Sequence, residues 1–289
     1  MAPAHNAVTA AHAERVLRDL SMASLPIDPF AIARKHEILV QAKGDARPGI
    51  SGLLMQVGSS VGIMYATHLA NEGYERFSVA HELGHYFLPG HIDALLGEGG
   101  IHESQAGFVS GDRYEREADD FAASLLMPRS LFLPALSKAG TGLEAVEQMH
   151  TLCKTSLTAT AIRVTQLTRD PMAIVVSTGK QIDYCFMSDE LKEFRGIDWI
   201  RKRQLVPQGT ATFEFNKNPK NVLNSDRTSA ESDLQDWFGG NRSVEICEEV
   251  VGLGAYGKTL TILHEIDLPD EQDEGEESSR DSWSPKFHR

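Results

Sequence analysis

Apolar residues fall at helical spacing over residues 9–20, with Val16, Leu17 and Leu20 on one stripe, which predicts an opening helix. Asp28-Pro29 then offers a capping side chain followed by proline at the first helical position, the signature of a second helix start. Residues 50–55 and 61–65 read as strands joined by the turn-prone Gly58-Ser59-Ser60. Helical spacing returns over residues 74–88, where Phe77, Val79, Ala80, Leu83, Tyr86, Phe87 and Leu88 are apolar. A further helix is expected over residues 113–127. Pro128 stops it, because proline disfavours helical backbone at the residue before it. Between these two helices, residues 89–111 are rich in glycine and histidine and read as a loop, either a lid or a mobile connection.

Downstream, residues 143–153 and 156–167 form two short helical patterns separated by Lys154-Thr155, the spacing of a helix-turn-helix unit. The second offers one arginine and no lysine, whereas a recognition helix normally brings more phosphate-contacting charge. From Pro171 the pattern turns to β. Residues 173–178 and 181–187 predict a hairpin around Gly179-Lys180. Residues 243–251 and 259–267 predict a longer pair around a glycine-rich turn. A mixed region with Trp199 and Trp237 lies between them. The run Gly252–Lys258 lacks the glycine spacing and strand-to-helix setting of a phosphate-binding loop.

The strongest chemical signal is His81-Glu82-Leu83-Gly84-His85. On a helix, His81 and His85 project from one face one turn apart, as two imidazoles gripping one ion must. Glu82 stands beside them without being a ligand, placed to take a proton from a water that zinc has acidified from a pKa of ~15.7 toward ~7. Two histidines leave one protein ligand to find if a position is to stay open for water. His91 has the histidine spacing of the metzincins, but Leu88 stands where that pattern needs a glycine to turn the chain, so His91 is expected to point elsewhere. The rival lies on the next helix. Glu115, Ala118, Ala122 and Leu125 share a stripe there, and the small alanines allow close packing against the histidine helix. Glu115 is favoured as the third ligand, with Glu117 an alternative on the adjacent face, and Asp119 is placed to accept the outer N–H of a ligand histidine. Tyr65, His102 and Tyr114 are open candidates for stabilising an oxyanion.

This motif, followed by Glu115-Arg116-Glu117-Ala118-Asp119-Asp120-Phe121-Ala122-Ala123-Ser124-Leu125-Leu126-Met127-Pro128, resembles the ImmA/IrrE family of gluzincin-like zinc peptidases. The resemblance implies zinc held by His81, His85 and Glu115, with Glu82 as general base. It also implies cleavage of a helix-turn-helix transcriptional repressor that switches on a radiation or DNA-damage stress response. The fold expected from pattern and resemblance together is α+β multidomain. A gluzincin-like zinc peptidase domain spans 1–130, helix-turn-helix-like helices 131–170, a GAF-like α/β sensor domain 171–268 and a disordered acidic tail 269–289.

Composition narrows the alternatives. At 289 residues, 41% hydrophobic and 24% charged, the chain is long enough for two or three globular domains. It has no apolar run of membrane-spanning length and no secretory signal pattern at its start. Cys153, Cys185 and Cys247 are scattered and odd in number, which fits a reducing cytoplasm and not a disulfide framework. The net charge of −13 repels phosphates, and the one basic cluster, Arg201-Lys202-Arg203, is short. Direct DNA binding is therefore not expected, and the partner that the family resemblance implies is a protein substrate. A DNA-binding regulator with a structural or degenerate zinc site is the competing class, and a small-molecule sensor built on the β-rich half is a third.

Overall fold

The structure, a computed structural model, describes residues 3–44, 49–68, 71–96, 100–105, 112–241 and 243–268. Among them are 12 α-helices and two sheets, in a mixed α+β arrangement. The chain divides into two compact units, Met1–Leu167 and Thr168–Arg289.

The first unit opens with α1 (Pro3–Asp19), which packs against α5 (Arg113–Leu126). Next comes α2 (Pro29–Lys35), where the Asp28 carboxylate accepts from the Phe30 N–H and Pro29 takes the first helical position. Four strands follow: β1 (Leu39–Lys43), β2 (Ile50–Val57), β3 (Ser60–Ala66) and β4 (Ile101–Gln105), in the spatial order β1-β3-β2-β4. β2 and β3 are an antiparallel hairpin with Leu54 opposite Ile63, β1 runs parallel to β3, and β4 runs antiparallel to β2. Side chains alternate across a strand. Gly52 and Leu54 of β2 therefore share a face with Ser104 and His102 opposite them on β4, and that face looks at α3 (Glu72–Phe87). Leu54 and Ile63 are fully buried there.

Asn71 caps α3 by accepting from the Tyr74 N–H, and Asp112 caps α5 by accepting from the Tyr114 N–H. The two helices pack closely where Gly84 meets Ala118: a Cβ on Gly84 would stand 3.1 Å from the Ala118 Cα. The stretch expected to be a plain loop after α3 holds α4 (His91–Leu95) and β4, so it is built into the sheet and the site. Residues 97–99 and 106–111 of that stretch lie outside the described residues. Three further helices, α6 (Arg129–Leu136), α7 (Gly142–Cys153) and α8 (Leu157–Leu167), complete the unit. α8 is buried along most of its length, and its one arginine, Arg163, turns inward to donate from Nε to the Met127 carbonyl at 3.0 Å.

The second unit is built on a five-stranded antiparallel sheet: β5 (Ala173–Thr178), β6 (Gln181–Met187), β7 (Arg227–Asp233), β8 (Glu245–Gly252) and β9 (Thr259–His264), in the order β6-β5-β9-β8-β7. Short helices α9 (Asp189–Glu193), α10 (Ala211–Asn216), α11 (Pro219–Leu223) and α12 (Leu234–Phe238) lie between β6 and β8 in sequence. Its core gathers Val175, Leu191, Leu234, Trp237, Phe238, Ile246 and Leu263. The buried Glu248 carboxylate is satisfied by the Thr212 backbone N–H at 2.7 Å and hydroxyl at 2.6 Å, with the Trp237 indole N–H at 3.4 Å. β7 was not expected. It reads Arg-Thr-Ser-Ala-Glu-Ser-Asp and is exposed for most of its length, so an edge strand carries no apolar alternation to betray it. The tail expected to be disordered, from residue 269, lies outside the described residues. None of the described helices is long and apolar enough to cross a membrane.

Candidate metal centre

The centre forms where the C-terminal half of α3 crosses the N-terminal half of α5. His81 and His85 stand one turn apart on α3, and Glu115 sits in the first turn of α5. The two Nε2 atoms are 3.0 Å apart, and each lies 3.4 Å from an oxygen of Glu115. Nitrogen and oxygen ligands of a tetrahedral zinc, bonded at ~2.0–2.1 Å, stand about 3.3 Å from one another, so the spacing fits one such ion. Among the described residues this is the group of His, Cys, Asp and Glu side chains that could hold a metal, with all ligand atoms within 4.8 Å. Glu117, the alternative third ligand, lies on the adjacent face and bonds elsewhere.

Charge in this cluster is arranged for a cation. Burial drives the His81 pKa down, but hydrogen bonds with Asp119 and Glu115 outweigh it and lift the group to about 10. His85, buried beside it, is pushed down to about 4. Burial alone would raise the Glu115 pKa, yet hydrogen bonds with His102, His81 and His85 hold it far below the usual carboxylate range. Asp119, one turn beyond Glu115, meets the outer His81 nitrogen Nδ1 at 2.8 Å. In the ligating tautomer the proton sits on Nδ1 and is donated to the Asp119 carboxylate, which leaves the Nε2 lone pair for an ion.

Glu82 points from α3 toward β2. It is fully buried, and neither of its oxygens has a hydrogen-bond partner, nor has the buried hydroxyl of nearby Ser104. Burial pushes its pKa up to about 7, with the charge of His81 pulling the other way. A buried carboxyl without partners is costly unless a function retains it. Gly52 makes the room: a Cβ there would overlap Glu82 Oε1.

The residues open as oxyanion candidates separate. His102 lies inside the cluster, its Nε2 2.8 Å from Glu115 Oε1. Tyr65 packs its ring edge-on against Phe30 at 5.4 Å, and Tyr114 packs against His91 at 5.0 Å. His91 stays out of the ligand group, as the sequence suggested, yet it packs behind the site. Leu88 leaves α3 in extended conformation and Gly90 takes a left-handed φ of 80°, and together they swing the chain back. Its Nδ1 then meets His85 Nδ1, the nitrogen remote from the centre, at 3.0 Å. Gly52 and Ser104 were missed altogether; only the pairing of β2 with β4 brings them to Glu82.

Residues 35–165 match the family model described as the IrrE N-terminal-like domain, Peptidase_M78. That span contains α3, α5 and every residue of the centre. A solved structure, a Mycobacterium tuberculosis transcriptional regulator, is similar over 89% of this chain and 75% of its own, with a TM-score of 0.59 and 13% identity. At that identity the likeness is one of fold. No curated protein matches the chain.

Proposed function

We propose, from the premise that residues 35–165 form an IrrE N-terminal-like peptidase domain, that this protein is a zinc-dependent endopeptidase acting on a protein substrate. The observation that carries the proposal is the convergence of His81, His85 and Glu115 within 4.8 Å, beside a buried Glu82 with no other partner. Zinc, when bound, supplies Lewis acidity toward a peptide carbonyl and toward the attacking water. The protein's own groups do the rest. Glu82 receives the proton of the attacking water, and burial, which raises its pKa, suits a group that must accept and then return a proton. Asp119 orients His81, and His102 fixes one Glu115 oxygen through a bond of 2.8 Å. Gly52 and the flanking strand keep the space around Glu82 narrow.

The substrate we propose is a helix-turn-helix transcriptional repressor, whose cleavage would release a radiation or DNA-damage response in the cytoplasm. This follows from the family resemblance. Burial of α8 and the inward turn of Arg163 support a structural or substrate-docking use over DNA contact for the α7–α8 pair. For the second unit we propose a GAF-like sensing or docking role. Incubation of the purified protein and Zn²⁺ with helix-turn-helix repressors of the same cell tests the proposal. A single cut with the native protein, and none with Glu82→Gln, is expected. Zinc binding without cleavage of any of them would sink the repressor assignment.

A further inference from the structure

We propose that His91 and Glu117 form a hydrogen-bonded relay that holds His85 in its ligating tautomer and sets how tightly the centre keeps its metal. The inference rests on the zinc-site proposal above.

The relay runs through three helices. His85 on α3 meets His91 at the start of α4, Nδ1 to Nδ1, at 3.0 Å. His91 Nε2 meets Glu117 Oε2 on α5 at 2.9 Å. The other Glu117 oxygen accepts from Arg113 Nε at 2.6 Å. One proton arrangement satisfies every contact while leaving His85 able to bind an ion. A ligating His85 Nε2 carries a lone pair, so its Nδ1 carries the proton. His91 Nδ1 then accepts, its own proton sits on Nε2, and Glu117 accepts that in turn. Arg113 terminates the chain because a guanidinium only donates. Four polar groups thus match in donor and acceptor sense over three successive contacts, and His85 and His91 are 0% and 1% exposed. A mere packing role explains the burial but not that matching.

The two ligand histidines are therefore supported differently. His81 leans directly on a carboxylate, Asp119, whereas His85 leans on a neutral imidazole backed by a carboxylate. Outer partners of this kind fix ring orientation and ligand basicity, and removing one typically weakens metal binding about 10–100-fold.

The test uses the full chain and reads zinc affinity by chelator competition, the visible spectrum of the Co²⁺-substituted protein, and the melting temperature of the metal-free protein. His91→Phe keeps a ring against Tyr114 but removes the acceptor from His85. It is expected to raise the zinc dissociation constant about 10–100-fold and to shift the Co²⁺ bands. His91→Gln restores both functions, its amide oxygen accepting from His85 and its NH₂ donating to Glu117, and is expected within about threefold of the native protein. Glu117→Ala breaks the relay one residue further out. It is expected to weaken zinc about tenfold, and it carries the test if His91→Phe fails to fold. Native affinity in both His91→Phe and Glu117→Ala would overturn the relay. Equal losses in His91→Phe and His91→Gln would overturn it too, because shape and not hydrogen bonding would then be at work. A native protein that binds no zinc would remove the metal-site proposal itself, a separate failure from either of these.

Discussion

The proposed function gives each residue of the centre a separable job, so single substitutions should divide metal binding from chemistry. Glu82→Gln keeps shape and zinc but cannot accept a proton. Peptidase activity is expected to fall by about 10²–10⁴-fold at full zinc occupancy, measured as cleavage rate against bound metal. Retained activity would remove Glu82 as the base. Gly52→Ala tests the same group from the other side, because the added methyl displaces Glu82 Oε1 without touching a ligand. Zinc affinity is expected to hold while activity drops by about 10²-fold, the effect of moving a reacting group by roughly an ångström. Glu115→Ala removes a proposed ligand outright. It should weaken zinc by more than the roughly 10–100-fold that an outer partner such as His91 is worth, and chelator competition ranks the two. Much of the cluster's make-up was legible in the sequence. His81, Glu82 and His85 stand out because five adjacent residues on one helix carry the pattern. Asp119 follows from Glu115 by a single helical turn. Gly52 and Ser104 were not legible, because no local pattern says which strand residue will face a carboxylate on a helix.

At the level of elements, the centre is a helix crossing: α3 brings the histidines, α5 brings Glu115, and Gly84 against Ala118 sets their separation. A Cβ at Gly84 would lie 3.1–3.3 Å from Ala118 backbone and side-chain atoms, so a bulky residue forces the helices apart. Gly84→Val is expected to destabilise the protein by about 1–3 kcal/mol, the usual cost of overpacking. It should also weaken zinc although no ligand is altered, since Glu115 moves away from the histidines. Thermal melting and chelator competition on one preparation check both effects, and unchanged zinc affinity would show that the crossing tolerates the extra volume. The amphipathic helices were readable because their apolar spacing reports the core they cover. Edge strands β1 and β7 were not readable. Their pairing hydrogen bonds come from the backbone, which every sequence shares, and their side chains are largely exposed.

For the whole molecule, the division at Leu167 and Thr168 leaves every residue of the centre in the first unit. A truncated protein ending at Asp170 is expected to fold and bind one zinc, because no ligand or outer partner lies beyond that point. Its cleavage of a protein substrate should suffer far more than its metal binding, since distant contacts position a large substrate for the chemical step. Zinc stoichiometry and cleavage on the same preparation decide between outcomes. Loss of zinc would mean the two units depend on one another for folding. Full cleavage would leave the second unit a role in sensing alone.

The sequence by itself determined which residues are candidates for the chemistry and which helices present them. Both follow from local rules, namely helical periodicity, capping and the fixed spacing of side chains along one turn. It also placed the change from a helical to a β-rich pattern at Pro171, where apolar spacing changes period. The tertiary structure alone decided how those helices cross, which strand closes on Glu82, and which side of the His85 ring His91 occupies. Those outcomes depend on residues remote in sequence, Gly52 and Ser104 from Glu82, or Ala118 from Gly84. Close approach of backbone to backbone sets them, and a one-dimensional pattern of apolar and polar positions does not encode it.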